Sequence, residues 1–126
     1  MTLIVRSESP TPIRTTVWLE GRLDANTFTD LDDALRDITP MVDNEGTLVL
    51  DLSQLDYISS AGLRSLAQLR KQMNDRGART LLLNPQPQVK KVFEIVKAVP
   101  VKEVFASINE LDQYLDHIQR SVTGQP

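Results

Sequence analysis

The chain has 126 residues, of which 40% are hydrophobic and 25% are charged, a balance typical of one globular domain with its own core. It contains no cysteine, which excludes disulfides, thiol catalysis and cysteine-based metal sites. The net charge of −3 argues against direct binding to nucleic-acid backbones. No signal-peptide pattern is present, and no apolar run approaches the roughly 18 residues that cross a bilayer. We therefore expect a cytoplasmic protein without membrane insertion.

The N-terminal part is predicted to form a hairpin at the edge of a sheet. Strands are expected over Leu3–Ser7 and Ile13–Glu20, and the second alternates apolar and polar residues like a half-buried strand. Pro10–Pro12 supplies the turn between them. The segment Gly21–Asp24 is expected to end the second strand.

A first helix is predicted over Thr27–Ile38, with Pro40 marking its end. Thr27 and Asp30 resemble a capping box, in which side chains at the helix start bond to free backbone N–H groups. Its apolar stripe consists of Leu31, Ala34 and Leu35.

The middle of the chain predicts a buried strand followed by a loop and a long helix. Thr47–Leu52 is almost unbroken in its apolar character, as in a parallel strand covered on both faces. Leu55 and Ile58 are expected to anchor the loop. The helix is predicted over Ser60–Asp75, with Gly77 as its left-handed C-terminal residue.

The last third repeats this alternation. A strand is predicted at Thr80–Leu83, and Pro87 opens a helix that Pro100 stops. A short strand is expected at Glu103–Ala106, and Ser107–Glu110 reads as a capping box that opens a last helix.

The order of these elements predicts an α/β fold. Strands alternating with helices favour parallel pairing with right-handed crossovers. We expect a mixed, mostly parallel sheet with an N-terminal antiparallel edge hairpin and about four helices. Residues 1–126 are predicted to form a single domain, with a core from about 3 to 120 and a flexible tail at 121–126.

Polar residues follow three of the predicted strands. In a parallel sheet, the loops that leave the carboxyl ends cluster at one edge, where binding sites form. Asp24, the pair Ser59 and Ser60, and Asn84 are therefore expected to meet there.

The loop with two serines is the most informative of the three. Ser59 and Ser60 stand where a helix N-cap is expected, so one of them caps the helix. A helix start carries partial positive charge and accommodates phosphate, and phosphorylation adds about −1.5 to −2 charges there. Gly62 has two explanations: close approach by another chain, or close packing against a neighbouring strand.

The chain resembles the STAS domain, the fold of anti-sigma factor antagonists. The resemblance rests mainly on Tyr57–Arg64, which reads Tyr-Ile-Ser-Ser-Ala-Gly-Leu-Arg, supported by Gly21–Asp24, Leu48–Ser53, Leu81–Pro85 and Val89–Phe93. It implies a STAS-like fold and a partner-switching role. In that role the protein binds an anti-sigma factor that is also a serine kinase. Phosphorylation at the helix start breaks the complex, and a serine phosphatase of the PP2C type resets it.

One position departs from the family pattern. Familiar antagonists carry Asp-Ser-Ser-Gly or Asp-Ser-Thr-Gly, with the phosphorylated residue directly before the glycine. Here Ala61 stands in that place and Ser59 replaces the aspartate. The resemblance therefore implies phosphorylation at Ser60, with Ser59 as second choice. The residues expected to bind the partner are Asp24, Ser59, Ser60, Ala61, Gly62, Leu63, Arg64 and Asn84.

Other functions are less well supported by the sequence. The single histidine, His117, lies on the last predicted helix, so a Ser-His-acid triad is not expected. No phosphate-binding glycine loop and no metal-ligand cluster occur, so no catalytic residue, metal or cofactor is predicted. Asp51 and Asp24 would suit a receiver-like phospho-aspartate site, but the acidic pair that usually follows the first strand of a receiver is missing. The alternative that remains is a non-phosphorylated STAS module, associated with a stressosome or a transporter.

Overall fold

The computed structural model describes residues 3–11, 13–96, 104–105, 109–110 and 112–113. The predicted tail at 121–126 and His117 lie outside the described residues. In chain order the elements are β1 (Leu3–Thr11), β2 (Arg14–Leu23), α1 (Phe28–Ile38), β3 (Thr47–Ile58), α2 (Ser60–Asp75), β4 (Arg79–Leu83), α3 (Pro87–Val96) and β5 (Val104–Phe105). A 3-10 turn at Thr39–Met41 follows α1 and contains Pro40.

The sheet has the order β1-β2-β3-β4-β5. β1 pairs with β2 in the antiparallel sense, and every other pair is parallel. This confirms the predicted α/β fold with an antiparallel edge hairpin. Three α-helices lie wholly within the described part of the chain. Residues 109–110 and 112–113 are also helical, where the fourth helix was predicted.

The core lies between one face of the sheet and the three helices. Alternate residues of the central strands point into it, so that they are buried while their neighbours on β2 stay partly exposed. Each large aliphatic side chain buried there contributes about 1.5–3 kcal/mol. The core includes Val17 and Leu19 from β2, Leu50 and Leu52 from β3, Leu82 from β4, Leu31 and Leu35 from α1, Leu66 and Met73 from α2, and Val89 and Phe93 from α3.

The two central strands are longer than predicted. β2 does not end at Gly21 but continues to Leu23, and β3 continues from Leu52 to Ile58. Gly21 has φ 107°, a backbone conformation that favours glycine, and the pairing register shifts next to it. At each of the two register shifts between these strands, β3 carries one residue more than β2 and pairing then resumes, so the segment expected to be a loop is sheet.

Within the described residues, the extended half of β3 pairs with a strand on one side only. β4 pairs with β3 no further than Asp51, the partner of Leu83. Beyond that point, one side chain just before α3 and one in its first turn bond to the free edge. Gln86 Nε2 donates to the Ser53 carbonyl at 2.9 Å, and Gln88 Nε2 donates to the Asp56 carbonyl at 3.1 Å. Polar groups that would face an unpaired edge are thereby satisfied.

The helix boundaries agree with prediction better than the caps do. α2 covers the predicted residues, and Gly77 adopts φ 83° just beyond it, as expected. Thr27 stands at the N-cap of α1, but its side chain makes no capping bond, so the predicted capping box is wrong. The Thr27 hydroxyl donates to the Arg22 carbonyl at 2.8 Å instead.

Candidate functional site

The ends of β2 and β3 bring two of the predicted segments together. Leu23 and Ile58 form the last pair between these strands, so Asp24 and Ser59 leave the sheet side by side. The backbone N–H of Ser59 donates to the Leu23 carbonyl at 2.9 Å, which ties the two departures to each other. Asp24 and the serine pair therefore share one end of the sheet.

The start of α2 gives the two serines different surroundings. Ser59 is the N-cap residue, with extended backbone, and its hydroxyl accepts a hydrogen bond from Gly62 N–H at 3.3 Å. Ser60 is the first residue of the helix and is exposed, while Ala61 is half-buried. Of these three residues, only Ser60 combines a hydroxyl with an exposed position.

The two residues that follow face the interior. Gly62 is buried, and a Cβ added there would lie 2.7 Å from Leu23 Cγ, 2.8 Å from the Leu23 carbonyl oxygen and 3.0 Å from Ile58 Cγ1. Close packing against the strand ends therefore explains this glycine within the chain itself. Leu63 is also buried, at 7% exposure, and belongs to the core. Both residues hold the start of α2 in position from its buried side.

Asp24 is held in a tight turn before α1. Its Oδ1 accepts from Asn26 N–H at 2.9 Å, and its own N–H donates to Thr27 Oγ1 at 2.9 Å. The Asn26 N–H does most to hold the pKa of Asp24 below its ordinary value of 3.8; Thr27 and Arg22 act in the same direction, while desolvation opposes them. Asp24 is therefore a fixed carboxylate at neutral pH.

Arg22 and Tyr57 add a pair that the sequence analysis did not assign. They are partners across β2 and β3, and the Arg22 guanidinium lies 4.2 Å from the centre of the Tyr57 ring. Arg22 Nε also lies 3.6 Å from Asp24 Oδ2. Tyr57 is 42% exposed. The sequence contains both residues, but it does not show that they are neighbours. Their contact depends on the register shift between Gly21 and Arg22, which places Tyr57 opposite Arg22.

The remaining predicted residues lie further from the two strand ends. Arg64 is exposed one helical turn after Ser60. Asn84 follows Leu83, which pairs with Asp51, whereas Ile58 lies seven positions further along β3. At about 3.3 Å per residue, this places Asn84 on the order of 20 Å from the start of α2 along the strand. The structure thus brings Asp24, Ser59 and Ser60 together without Asn84.

No group of three or more His, Cys, Asp or Glu side chains with metal-binding geometry occurs within the described residues. No helix in the described part of the chain is long and apolar enough to span a bilayer.

Comparison with known proteins identifies relatives of this chain. Residues 7–111 match the STAS domain profile. A segment of 51 residues is 47% identical to BtrV of Bordetella bronchiseptica, which is named as a candidate anti-sigma factor antagonist. That match covers 40% of this chain and 44% of BtrV, so the similarity reaches less than half of the relative's length.

Solved structures share the fold at low sequence identity. The unphosphorylated anti-sigma factor antagonist SpoIIAA matches with a TM-score of 0.65 and 19% identity, over 92% of this chain and 98% of SpoIIAA. The phosphorylated form of this Bacillus protein matches with a TM-score of 0.67 and 20% identity, over 89% and 99% of the two chains. The murine anion transporter Slc26a9 matches with a TM-score of 0.70 and 23% identity, over 83% of this chain and 18% of the transporter. Since the profile match extends over most of the sequence and the fold agrees with it, the chain belongs to the STAS domain family.

Proposed function

We propose that this protein is an anti-sigma factor antagonist that acts by partner switching in the cytoplasm. It binds an anti-sigma factor that is a serine kinase, and it works through binding rather than through catalysis. Phosphorylation of Ser60 releases the partner, and a serine phosphatase of the PP2C type restores binding. The observation that carries this proposal is the exposed hydroxyl of Ser60 at the first position of α2.

The relatives support the general role. SpoIIAA is named as an anti-sigma factor antagonist and BtrV as a candidate one, and SpoIIAA has been solved with and without phosphate. The two SpoIIAA forms match this chain about equally well, with TM-scores of 0.65 and 0.67. This supports a switch in which phosphate changes the surface while the fold is kept.

The surroundings of the serines favour Ser60 as the phosphate acceptor. The Ser59 hydroxyl is engaged with Gly62 N–H, so its modification would cost the helix its cap. Ala61 has no hydroxyl. A phosphate on Ser60 would add about −1.5 to −2 charges next to the positive end of the helix dipole. The fold therefore tolerates the modification, while a partner seated there meets new charge and bulk.

The partner surface is proposed to extend from Asp24 across Ser60 to Arg64. Arg22 and Tyr57 enlarge it at the strand ends, and arginine and tyrosine are residue types that often dominate binding energy at interfaces. We had expected Gly62 and Leu63 to contact the partner. Because both are buried, we propose that they hold this surface in place instead.

The test is mass spectrometry of the protein after incubation with the serine-kinase anti-sigma factors of its own genome. We expect phosphate on Ser60 and none on Ser60→Ala, which should still bind the kinase. Ser60→Asp should bind more weakly, whereas the matched variant Ser59→Asn, which keeps a capping side chain, should still be phosphorylated. Phosphate on another residue, or normal binding by Ser60→Asp, would show that the site assignment is wrong.

A second candidate is a STAS module that is never phosphorylated. Ala61 favours it, because the family resemblance places the phosphate acceptor at that position. Such a module would belong to a stressosome-like assembly or to a transporter, as in the fold match to part of Slc26a9. Affinity purification from the native lysate distinguishes the two: a kinase-type anti-sigma factor supports the first proposal, and transporter subunits support the second.

A further inference from the structure

Arg64 stands out among the basic residues of α2 and its C-cap residue, Arg76. Lys71 pairs with Asp75 at 3.3 Å, and Arg76 donates to the Thr39 carbonyl at 2.8 Å. Arg70 also has a partner. Among the described residues, the exposed Arg64 side chain has no hydrogen bond, ion pair or ring contact. Its charge is therefore available at the surface.

Arg64 has no acidic neighbour on the surface of the helix, and one neighbour that phosphorylation could make anionic. Residues three and four positions away on a helix are side-chain neighbours. For Arg64 these are Ser60, Ala61, Ala67 and Gln68, none of which is acidic. Only Ser60 combines this spacing with an exposed hydroxyl that phosphorylation would turn into an anion.

We propose that phosphate on Ser60 is held by Arg64 as an ion pair between consecutive turns of α2. This inference rests on the proposed function, because it describes how the same site is regulated. An acidic group four residues before a basic one is the favoured order on a helix, and a guanidinium matches phosphate with two parallel hydrogen bonds. Phosphorylation thus adds negative charge to the partner surface. It also pairs the Arg64 guanidinium, which is then no longer available to the partner.

The other candidates for this pairing are less suitable. Arg22 is already stacked on Tyr57 and lies next to Asp24, so its guanidinium is held at the strand ends. Ser59 is five residues before Arg64, which on a helix of 3.6 residues per turn places it on a different face. Arg64 therefore distinguishes Ser60 from Ser59.

The experiment installs phosphoserine at position 60 during translation with an expanded genetic code, so that no kinase is needed. The pH titration of the phosphate is followed by ³¹P NMR in the full chain and in the same chain with Arg64→Gln. Pairing favours the dianion, so the pKa of the phosphate should be lower with Arg64 present, by roughly 0.3 pH units or more. The difference should shrink in 1 M NaCl, where charges are screened within about 3 Å.

Two variants serve as controls. Arg64→Lys keeps the charge and should retain part of the shift, whereas Gln68→Ala, one turn further along α2, should leave the phosphate pKa unchanged. Equal phosphate pKa values with Arg64 and with Arg64→Gln, in two folded proteins with matching amide spectra, would overturn the inference. Failure of the proposed function would look different, because it would appear as missing kinase binding or missing phosphorylation at Ser60.

Discussion

Leu23 and Gly62 touch so closely that there is no room for a methyl group between them. A Cβ on residue 62 would lie 2.7 Å from Leu23 Cγ and 2.8 Å from the Leu23 carbonyl oxygen. The same carbonyl accepts the N–H of Ser59, so the end of β2 and the start of α2 share one contact point. A side chain at position 62 would disturb both the packing and this hydrogen bond.

We expect Gly62→Ala to lower the free energy of unfolding by about 1–3 kcal/mol, because overpacking outweighs the better helix propensity of alanine. Urea denaturation measures the change. A matched pair at the exposed Gln68 should show the opposite preference, with Gln68→Ala more stable than Gln68→Gly by about 1 kcal/mol. A Gly62→Ala protein more stable than the original would contradict the close contact.

The two serines at the start of α2 are expected to differ in their effect on stability. Ser59→Ala removes the hydroxyl that accepts from Gly62 N–H and should cost about 1 kcal/mol in the free energy of unfolding. Ser60→Ala changes an exposed residue outside the cap and should alter stability by less than about 0.5 kcal/mol. Thermal and urea unfolding of both variants test this order. Equal losses would mean that the two hydroxyls do not have separate roles.

Asp24 should make stability depend on pH. Its pKa in the folded protein lies below 3.8, so the ionised group stabilises the fold above about pH 3.8, and this contribution is lost as the pH falls through the lower folded pKa. Asp24→Asn should therefore be less stable than the original at pH 5–7, with a difference that narrows in acid. NMR titration of the Asp24 carboxyl gives the pKa directly. It should rise in Thr27→Val, and a value above 3.8 in the original protein would contradict the turn geometry.

Two buried threonines are predicted to respond differently to the same substitution. Thr80 Oγ1 is buried and has no hydrogen-bond partner among the described residues, so Thr80→Val should stabilise the protein by about 1 kcal/mol. Thr15 is equally buried, but its hydroxyl shares a 2.9 Å hydrogen bond with Ser9 Oγ. Thr15→Val should therefore be neutral or destabilising. Urea denaturation of the two variants side by side measures the sign of each change in the free energy of unfolding. If Thr80→Val lowered it, the Thr80 hydroxyl would have to be hydrogen-bonded after all.

Apolar periodicity was enough to predict α2 from Ser60 to Asp75 and the order of strands and helices. It did not predict that β3 reaches Ile58, because the buried residues Leu55 and Ile58 are three positions apart rather than two. Two register shifts against β2, at each of which β3 carries one residue more than its partner strand, interrupt the alternation. A strand that carries such extra residues loses its period of two, so apolar alternation alone does not predict it.

The same extension explains which site residues could be predicted. Asp24 and Ser59 were expected to meet, and they do, because β2 and β3 end at the same level. Asn84 was expected beside them on the assumption that all strand ends are level, but β4 stops at the partner of Asp51. The Arg22 and Tyr57 contact required the register of this extension and could not be read from residue types alone.

The packing of Gly62 also affects how relatives of this protein should be compared. Within Ser-Ala-Gly-Leu, the glycine and the leucine face the interior of this chain, so here they serve the packing of the helix start on the strand end. When a relative has the same residues at these two positions, the identity indicates a shared fold and not a shared partner. Residues that give each protein its own partner should instead be sought at positions 22, 57, 60 and 64, where side chains reach solvent. Differences there would keep one STAS domain from binding the partner of another in the same cell.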